Sequence, residues 1–144
     1  MLPAFNRNGY LPPGIHEATW EEFEGRFGYN NRRRRLLNGL EAAIRNLSAA
    51  GCLTVYIDGS FVTEKELPGD YDGCWEVDGV DDNLLDPVFF DLTPPRSAQK
   101  GKYLGEMFPV SDPQKSSGKT LIEFFQSDRS GISKGIVKLD IGSL

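Results

Sequence analysis

The stretch that organises this chain reads LTVYIDGS and covers residues 53–60. Its first part, Leu53–Ile57, is rich in β-branched and aromatic side chains, which favour a buried β-strand. Asp58, Gly59 and Ser60 follow at once, and these residue types are typical of a tight turn. We therefore predict a core strand that ends in a turn, and we assign the rest of the chain relative to it.

Two helices are predicted before this strand. Thr19 and Glu22 have the spacing of a capping box, so a short helix begins after Thr19 and ends at Gly28. A longer helix covers about Asn31–Ala50, because its apolar residues repeat with the period of one helical face. This apolar stripe consists of Leu36, Leu37, Leu40, Ala43, Ile44 and Leu47.

Further elements are expected after the turn. They are a short helix over 61–67, a strand over 72–77, a strand over 88–92, a helix from Pro94 to about Leu104 and a closing strand over 135–141. Residues 121–126 fit a helix or a strand equally well, and residues 111–119 have the composition of a loop. The pattern predicts an α/β (α+β) fold, a small mixed β-sheet flanked by helices.

Length and composition indicate one globular domain over residues 1–144. Prolines and glycines in the first eighteen residues prevent a helix there, so we expect an extended N-terminal arm over residues 1–18. The chain has no long apolar run and no leader-like N-terminus, which predicts a cytoplasmic protein without a membrane span. Cys52, Cys74 and the single histidine, His16, receive no chemical role.

One basic patch, Arg32-Arg33-Arg34-Arg35, lies at the start of the longer helix. The formal net charge of −5 argues against a protein that binds nucleic acid along its whole surface. The four arginines are either a solvated helix start or a contact for a substrate or partner, such as an RNA.

The residues with the clearest chemistry are Gly59, Ser60, Asp70 and Asp72. Gly59 lets the backbone approach a phosphate, and Ser60 adds a hydroxyl at the start of a helical turn. Asp70 and Asp72 are two apart on a strand, so their carboxylates point to one face and can share Mg²⁺ or Mn²⁺ with phosphates. Lys65 is a candidate for an additional positive charge at a bound nucleotide.

A third carboxylate is expected from a later strand. Asp91 ranks first because it ends the apolar stretch 88–92, and Asp140 ranks second in a similar position near the C-terminus. Glu106 and Glu123 lie in segments that the sequence does not assign to an element.

In this order, Ile57, Gly59, Ser60, Asp70, Asp72 and Asp91 match a known motif: hydrophobic-Gly-Ser, a spacer, Asp-x-Asp, and a later strand with another Asp. The sequence therefore resembles the nucleotidyltransferases of the DNA polymerase beta superfamily, specifically the minimal nucleotidyltransferases of bacteria. The stretch Asp91–Arg96 also looks like the segment after their third carboxylate. Thr63 stands where many of them carry an arginine, and Gly73-Cys74-Trp75 replaces their plain aliphatic strand.

The chain as a whole looks like an uncharacterised small bacterial family with this fold, judged from residues 11–16, 58–63 and 134–136. The resemblance implies a Mg²⁺-dependent transfer of an NMP group from an NTP to a protein or RNA hydroxyl, in a toxin–antitoxin or defence context. Asp91 would orient or deprotonate that hydroxyl. The alternative is a module of the same fold that has lost catalysis and binds RNA or a partner protein, as an antitoxin does.

Overall fold

The computed structural model describes residues 2–91, 97–110, 126, 130–142 and 144. Within them the chain forms three α-helices and one mixed five-stranded sheet, which confirms the predicted fold class. The helices are α1 (Trp20–Phe27), α2 (Asn31–Ala49) and α3 (Ser97–Tyr103), and the strands are β1 (Ile15–Ala18), β2 (Thr54–Asp58), β3 (Tyr71–Trp75), β4 (Gly105–Pro109) and β5 (Ile136–Asp140).

The sheet has the strand order β1-β5-β2-β3-β4, so β2 lies at its centre. β2 is antiparallel to both of its neighbours, whereas the two outer pairs, β1 with β5 and β3 with β4, are parallel. Residues 55–58 of β2 are buried, as expected for a strand that is paired on both sides. The stretch 53–60 thus contains the middle strand of the sheet.

Both helices predicted before β2 are confirmed. Thr19 and Glu22 form the capping box of α1, and Gly28 follows its last turn. The side chain of Asn30 caps α2 by accepting a hydrogen bond from the Arg33 amide. All six residues of the predicted apolar stripe of α2 are buried in the main core.

The N-terminal arm packs against the domain, with Leu11 fully buried. The Arg26 guanidinium donates to the carbonyl oxygens of Leu2 and Pro3. The last four residues of this extended arm form β1, a strand that the sequence did not predict and that extends the sheet beside β5.

The predicted strand over 88–92 is wrong. Residues Pro87–Phe90 form a 3₁₀ helix that Asp86 caps by accepting from the Val88 amide. An acidic cap followed by Pro at the first helical position favours a helical turn, and Phe89 stacks on Tyr103 instead of entering the sheet. Asp91 follows this turn and is exposed.

Other boundaries also differ from the predictions. The helix expected over 61–67 is a 3₁₀ turn over Gly59–Val62. The helix expected from Pro94 is described from Ser97, and Gly105, expected only to interrupt it, begins the unpredicted strand β4. Residues 94–96, 111–119 and 121–125, with Glu123 among them, lie outside the described residues. No helix in the described part of the chain has the length and apolarity that crossing a membrane requires.

Candidate active site

The turn at Gly59 is shaped around a carboxylate. Gly59 has a φ of +77°, a backbone conformation that favours glycine. A β-carbon built there would lie 2.8 Å from Oδ2 of Asp72. The absence of a β-carbon at Gly59 therefore permits both the turn geometry and the close approach of the Asp72 carboxylate.

Three acidic residues lie side by side on the neighbouring strands β2, β3 and β4. Asp58 is in register with Asp72, and Asp72 is in register with Glu106. We call Asp58, Asp72 and Glu106 the acid row. Like charges opposite each other in a sheet are destabilising, so such a row requires protons or cations to persist.

Asp58 is the most buried member of the row, with 2% of its surface exposed. Its Oδ1 atom has no hydrogen-bond partner among the described residues. Burial raises the pKa of Asp58 well above its usual range, and the Asp72 carboxylate raises it further. Both effects favour the protonated form of Asp58, which lowers the negative charge of the row.

Asp72 is half-buried and titrates at a higher pH than an ordinary aspartate. Burial is the main cause, and the negative charges of Asp70 and Glu106 add to it, so that its pKa rises to about 6. The Lys100 and Lys134 ammonium groups act in the opposite direction on the pKa of Asp72. Asp72 thus lies in an electrostatic field that favours a proton or a cation.

Lys100 of α3 pairs with two carboxylates beside Asp72. Its Nζ lies 3.0 Å from Oε1 of Glu106 and 3.6 Å from Oδ2 of Asp70. The hydrogen bond to Glu106 is the main cause of a raised pKa for Lys100. One ammonium group therefore bridges two carboxylates around Asp72.

A basic cleft of about 510 Å³ opens beside Asp70. We call it the arginine cleft. Its polar lining comes from α2, the turn after β2, the approach to β3, and α3. These side chains are Arg32, Arg35, Ser60, Lys65, Asp70 and Lys100. Four cations and one hydroxyl beside a carboxylate pair match the charge of a phosphate chain with its metal ion.

The four arginines at the start of α2 lie in different environments. Arg32 and Arg35 line the arginine cleft, since they are three residues apart on α2. Arg33 is fully buried, and Arg34 donates through Nε to the Gly28 carbonyl. The interpretation of all four as a substrate contact is therefore corrected for Arg33.

Arg33 is a structural residue of the turn. Its guanidinium donates to four backbone carbonyl oxygens, those of Phe27, Phe61, Thr63 and Lys65. It also lies over the ring of Phe61 at 5.0 Å from the centroid. Arg33 thus holds the backbone that follows Ser60 and presents Lys65.

Neither of the two candidates for the third carboxylate lies on a strand beside Asp72. The segment before Asp91 packs on α3, where Lys102 pairs with Asp86. Lys100, on the same helix, pairs instead with Asp70. Residues two apart on a helix point in nearly opposite directions, so Asp91 follows a segment on the other side of α3.

Asp140 is at the wrong end of the sheet. It pairs with Thr54, the first residue of β2, while the acid row begins at Asp58, the last residue of that strand. The carboxylate in register with Asp72 is Glu106. The stretch Gly105–Pro109, with Glu106 between small and apolar residues after a helix, was the sequence signal for it, but short alternating segments of this kind are weak.

Among the described residues, no three carboxylate, imidazole or thiolate groups converge as a ready-made metal site. Mg²⁺ commonly takes only one or two protein carboxylates and completes its shell with substrate phosphates and water. Asp70 and Asp72, beside a cleft with four cations, fit that mode of binding. Lys100 would have to leave Asp70 when a cation arrives.

Comparison with known proteins places the chain in a family. Residues 3–140 match the model of a family of unknown function, DUF6932. The chain belongs to this family. The match spans the turn at Gly59 and the acid row, so the candidate site lies within the matched residues. No curated protein and no solved structure matches the chain.

Proposed function

We propose that this protein is a Mg²⁺-dependent nucleotidyltransferase that moves an NMP group from an NTP to a hydroxyl of an RNA or a protein. One observation carries the proposal: the Gly59 turn packs against Asp72 at the point where the arginine cleft meets Asp70. A tight glycine turn, paired carboxylates and a cluster of cations are the components that phosphoryl transfer requires.

The triphosphate binds in the arginine cleft. Arg32, Arg35 and Lys65 neutralise its charge, and Ser60 donates a hydrogen bond through its hydroxyl. Gly59 lets the Asp72 carboxylate approach the turn that carries Ser60, because a β-carbon there would meet that carboxylate. Lys100 exchanges its contact with Asp70 for a phosphate oxygen, which frees that carboxylate.

Asp70 and Asp72 hold the metal, with Glu106 beside Asp72. When bound, Mg²⁺ neutralises phosphate oxygens and stabilises the charge that develops on the leaving pyrophosphate. The acceptor oxygen bonds to the α-phosphorus, and the bond from that phosphorus to the pyrophosphate oxygen breaks. Glu106 takes the proton of the acceptor hydroxyl, the role that the sequence analysis assigned to Asp91.

A transfer assay tests this proposal. Purified protein is incubated with Mg²⁺ and each α-labelled NTP, with RNA and with lysate protein as acceptors. Label is expected in one acceptor class and is lost in the Asp70→Asn/Asp72→Asn double variant. Asp140→Asn, an acidic residue at the other end of the sheet, is the matched control. Equal labelling by the double variant refutes the site.

The bridge formed by Lys100 favours a second candidate, a binding module without catalysis. An ammonium group between Asp70 and Glu106 stands where a cation is required. If Lys100 replaces the metal permanently, NTP binds with the same affinity in Mg²⁺ and in EDTA. If the nucleotidyltransferase proposal holds, Mg²⁺ strengthens NTP binding, and Lys100→Gln tightens the binding of Mn²⁺ measured alone.

The cellular setting follows from the substrate. NTPs are abundant in the cytoplasm, where we expect this protein to act. The resemblance to minimal nucleotidyltransferases makes a toxin or antitoxin protein one candidate partner. Such a partner would be encoded by a neighbouring gene. Purification of this protein from its host, with and without the neighbouring genes, tests this, because the partner should remain bound to it at high salt.

A further inference from the structure

A second cleft, of about 520 Å³, lies on the other side of Ser60 and Lys65. We call it the arm cleft. Its walls come from the N-terminal arm, from the turn after β2 and from the residue before Gly135. The side chains that matter below are Arg7, Asn8, Tyr10, Ser60, Lys65 and Lys134.

The arm wall of this cleft is preformed. The Asn6 carboxamide oxygen accepts hydrogen bonds from the amides of Asn8 and Tyr10. The Gly9 carbonyl accepts from the Glu64 amide at 2.8 Å, and Tyr10 bridges to Thr63 as in an antiparallel ladder. The loop that carries Arg7 is therefore tied to the same turn that carries Ser60.

The charge of the arm cleft is opposite to that of the whole chain. Arg7, Lys65 and Lys134 contribute three positive charges, and Glu64 contributes one negative charge. The chain carries a formal net charge of −5. A cationic cleft in an acidic protein attracts polyanions to that place selectively.

The arm cleft also borders the acid row. Ser60 lines this cleft and directly follows Gly59, the residue that packs against Asp72. Ser60 and Lys65 line both clefts. A ligand in the arm cleft therefore lies next to a triphosphate in the arginine cleft.

We propose that the arm cleft binds the acceptor and that this acceptor is the 3′ end of a single-stranded RNA. The inference rests on the proposed function. Arg7 and Lys134 hold backbone phosphates, which a protein serine, threonine or tyrosine does not carry. The 3′-hydroxyl oxygen bonds to the α-phosphorus of the NTP, pyrophosphate leaves, and the hydroxyl proton passes to Glu106.

Fluorescence anisotropy with a labelled single-stranded RNA that ends in a free 3′-hydroxyl tests the inference. The Arg7→Gln/Lys134→Gln variant should bind this RNA at least about tenfold more weakly than the wild type, and the slope of log K against log salt should fall by about 1.4 for two lost contacts. NTP affinity, measured by calorimetry with Mg²⁺, should not change in the single variant Arg7→Gln, since Arg7 does not act on the carboxylates that hold the metal.

The matched control is Arg45→Gln/Lys138→Gln. It removes the same charge from two residues outside both clefts, which pair with Glu41 and Glu17. RNA affinity equal in all three proteins, or label that enters a protein and not RNA, overturns the inference. If only the proposed function fails, the wild type binds RNA and NTP and the variant loses RNA affinity as expected, but no label is transferred. The arm cleft then stands as an RNA site.

Discussion

The carboxylate of Asp72 lies so close to the α-carbon of Gly59 that a β-carbon would come within 2.8 Å of its Oδ2 atom. Asp72 lies on β3, and Gly59 directly follows Asp58, the residue of β2 that pairs with Asp72 in antiparallel register. The turn and the acidic strand are therefore one unit, and a change in either alters the other.

Gly59→Ala should cost more stability than its φ alone explains. Gly131 is the matched control, because its φ is +82° and no atom of the described residues lies within 4 Å of a β-carbon built there. Gly131→Ala should cost about 1–2 kcal/mol, the usual penalty of a left-handed residue. Urea denaturation should show a larger loss for Gly59→Ala, and this excess should vanish when Asp72 is also changed to Ala. Equal losses for the two alanine variants contradict the contact.

Asp72 should make the metal-free protein less stable as the pH rises. Its pKa is 3.8 in an ordinary aspartate and about 6 here, so the folded state keeps a proton that the unfolded state releases. Stability is therefore full below pH 3.8 and falls as the pH rises to about 6, by at most about 3 kcal/mol. Asp58, whose pKa is also raised, contributes a loss of the same sign.

Thermal unfolding in EDTA measures this effect. Asp72→Asn should unfold at a higher temperature than the wild type at pH 8 and should have a flatter pH profile. Asp140→Asn should keep the wild-type profile, since Asp140 is exposed at the other end of the sheet. If the wild type gains stability between pH 4 and 6, the ionised carboxylate of Asp72 does not destabilise the folded state.

Arg33 and Arg34 should differ sharply as sites of substitution by lysine. Arg33→Lys cannot reach four carbonyl oxygens at once, and it leaves buried acceptors without donors, so we expect a loss of about 3 kcal/mol or more. Arg34→Lys changes an exposed residue with one hydrogen bond and should lie within about 0.5 kcal/mol of the wild type. Chemical denaturation compares the two, and similar values refute the structural role of Arg33.

Arg32 and Arg35 should affect ligand binding and not stability. Each lines the arginine cleft, and each loss of a charge-assisted bond to a phosphate should weaken NTP binding about tenfold or more. Calorimetry on Arg32→Gln and Arg35→Gln measures this, with Arg34→Gln as the control from the same helical turn. If all three bind NTP equally, the triphosphate lies elsewhere.

Glu106, and not Asp91 or Asp140, should support the binding of metal with nucleotide. Ligands that bind only the folded state raise its melting temperature, so Mg²⁺ with an NTP should raise it more than either alone. Glu106→Gln should reduce this synergy because Glu106 is in register with Asp72. Asp91→Asn and Asp140→Asn should retain it. If only Asp91→Asn loses the synergy, Asp91 is the third carboxylate, as ranked from the sequence.

Local sequence determined the helices and the central strand. Three local patterns predicted them: the capping box at Thr19, the apolar stripe of α2 and the β-branched run before Gly59. Each depends only on residues that are close in sequence, so it can be recognised without the tertiary structure. The same holds for the proximity of Ser60 to the end of β2 and of Asp70 to Asp72.

Only the tertiary structure decided which side chains meet at the site. Glu106 reaches Asp72 because β4 pairs in parallel with β3, a contact between distant segments that no local pattern encodes. Arg33 and Arg32 are adjacent in sequence, yet the rotation of the helix buries one and turns the other toward the cleft. Burial and strand pairing depend on the whole chain, so the sequence by itself determined the turn and the carboxylate pair, and the packing of the sheet determined their partners.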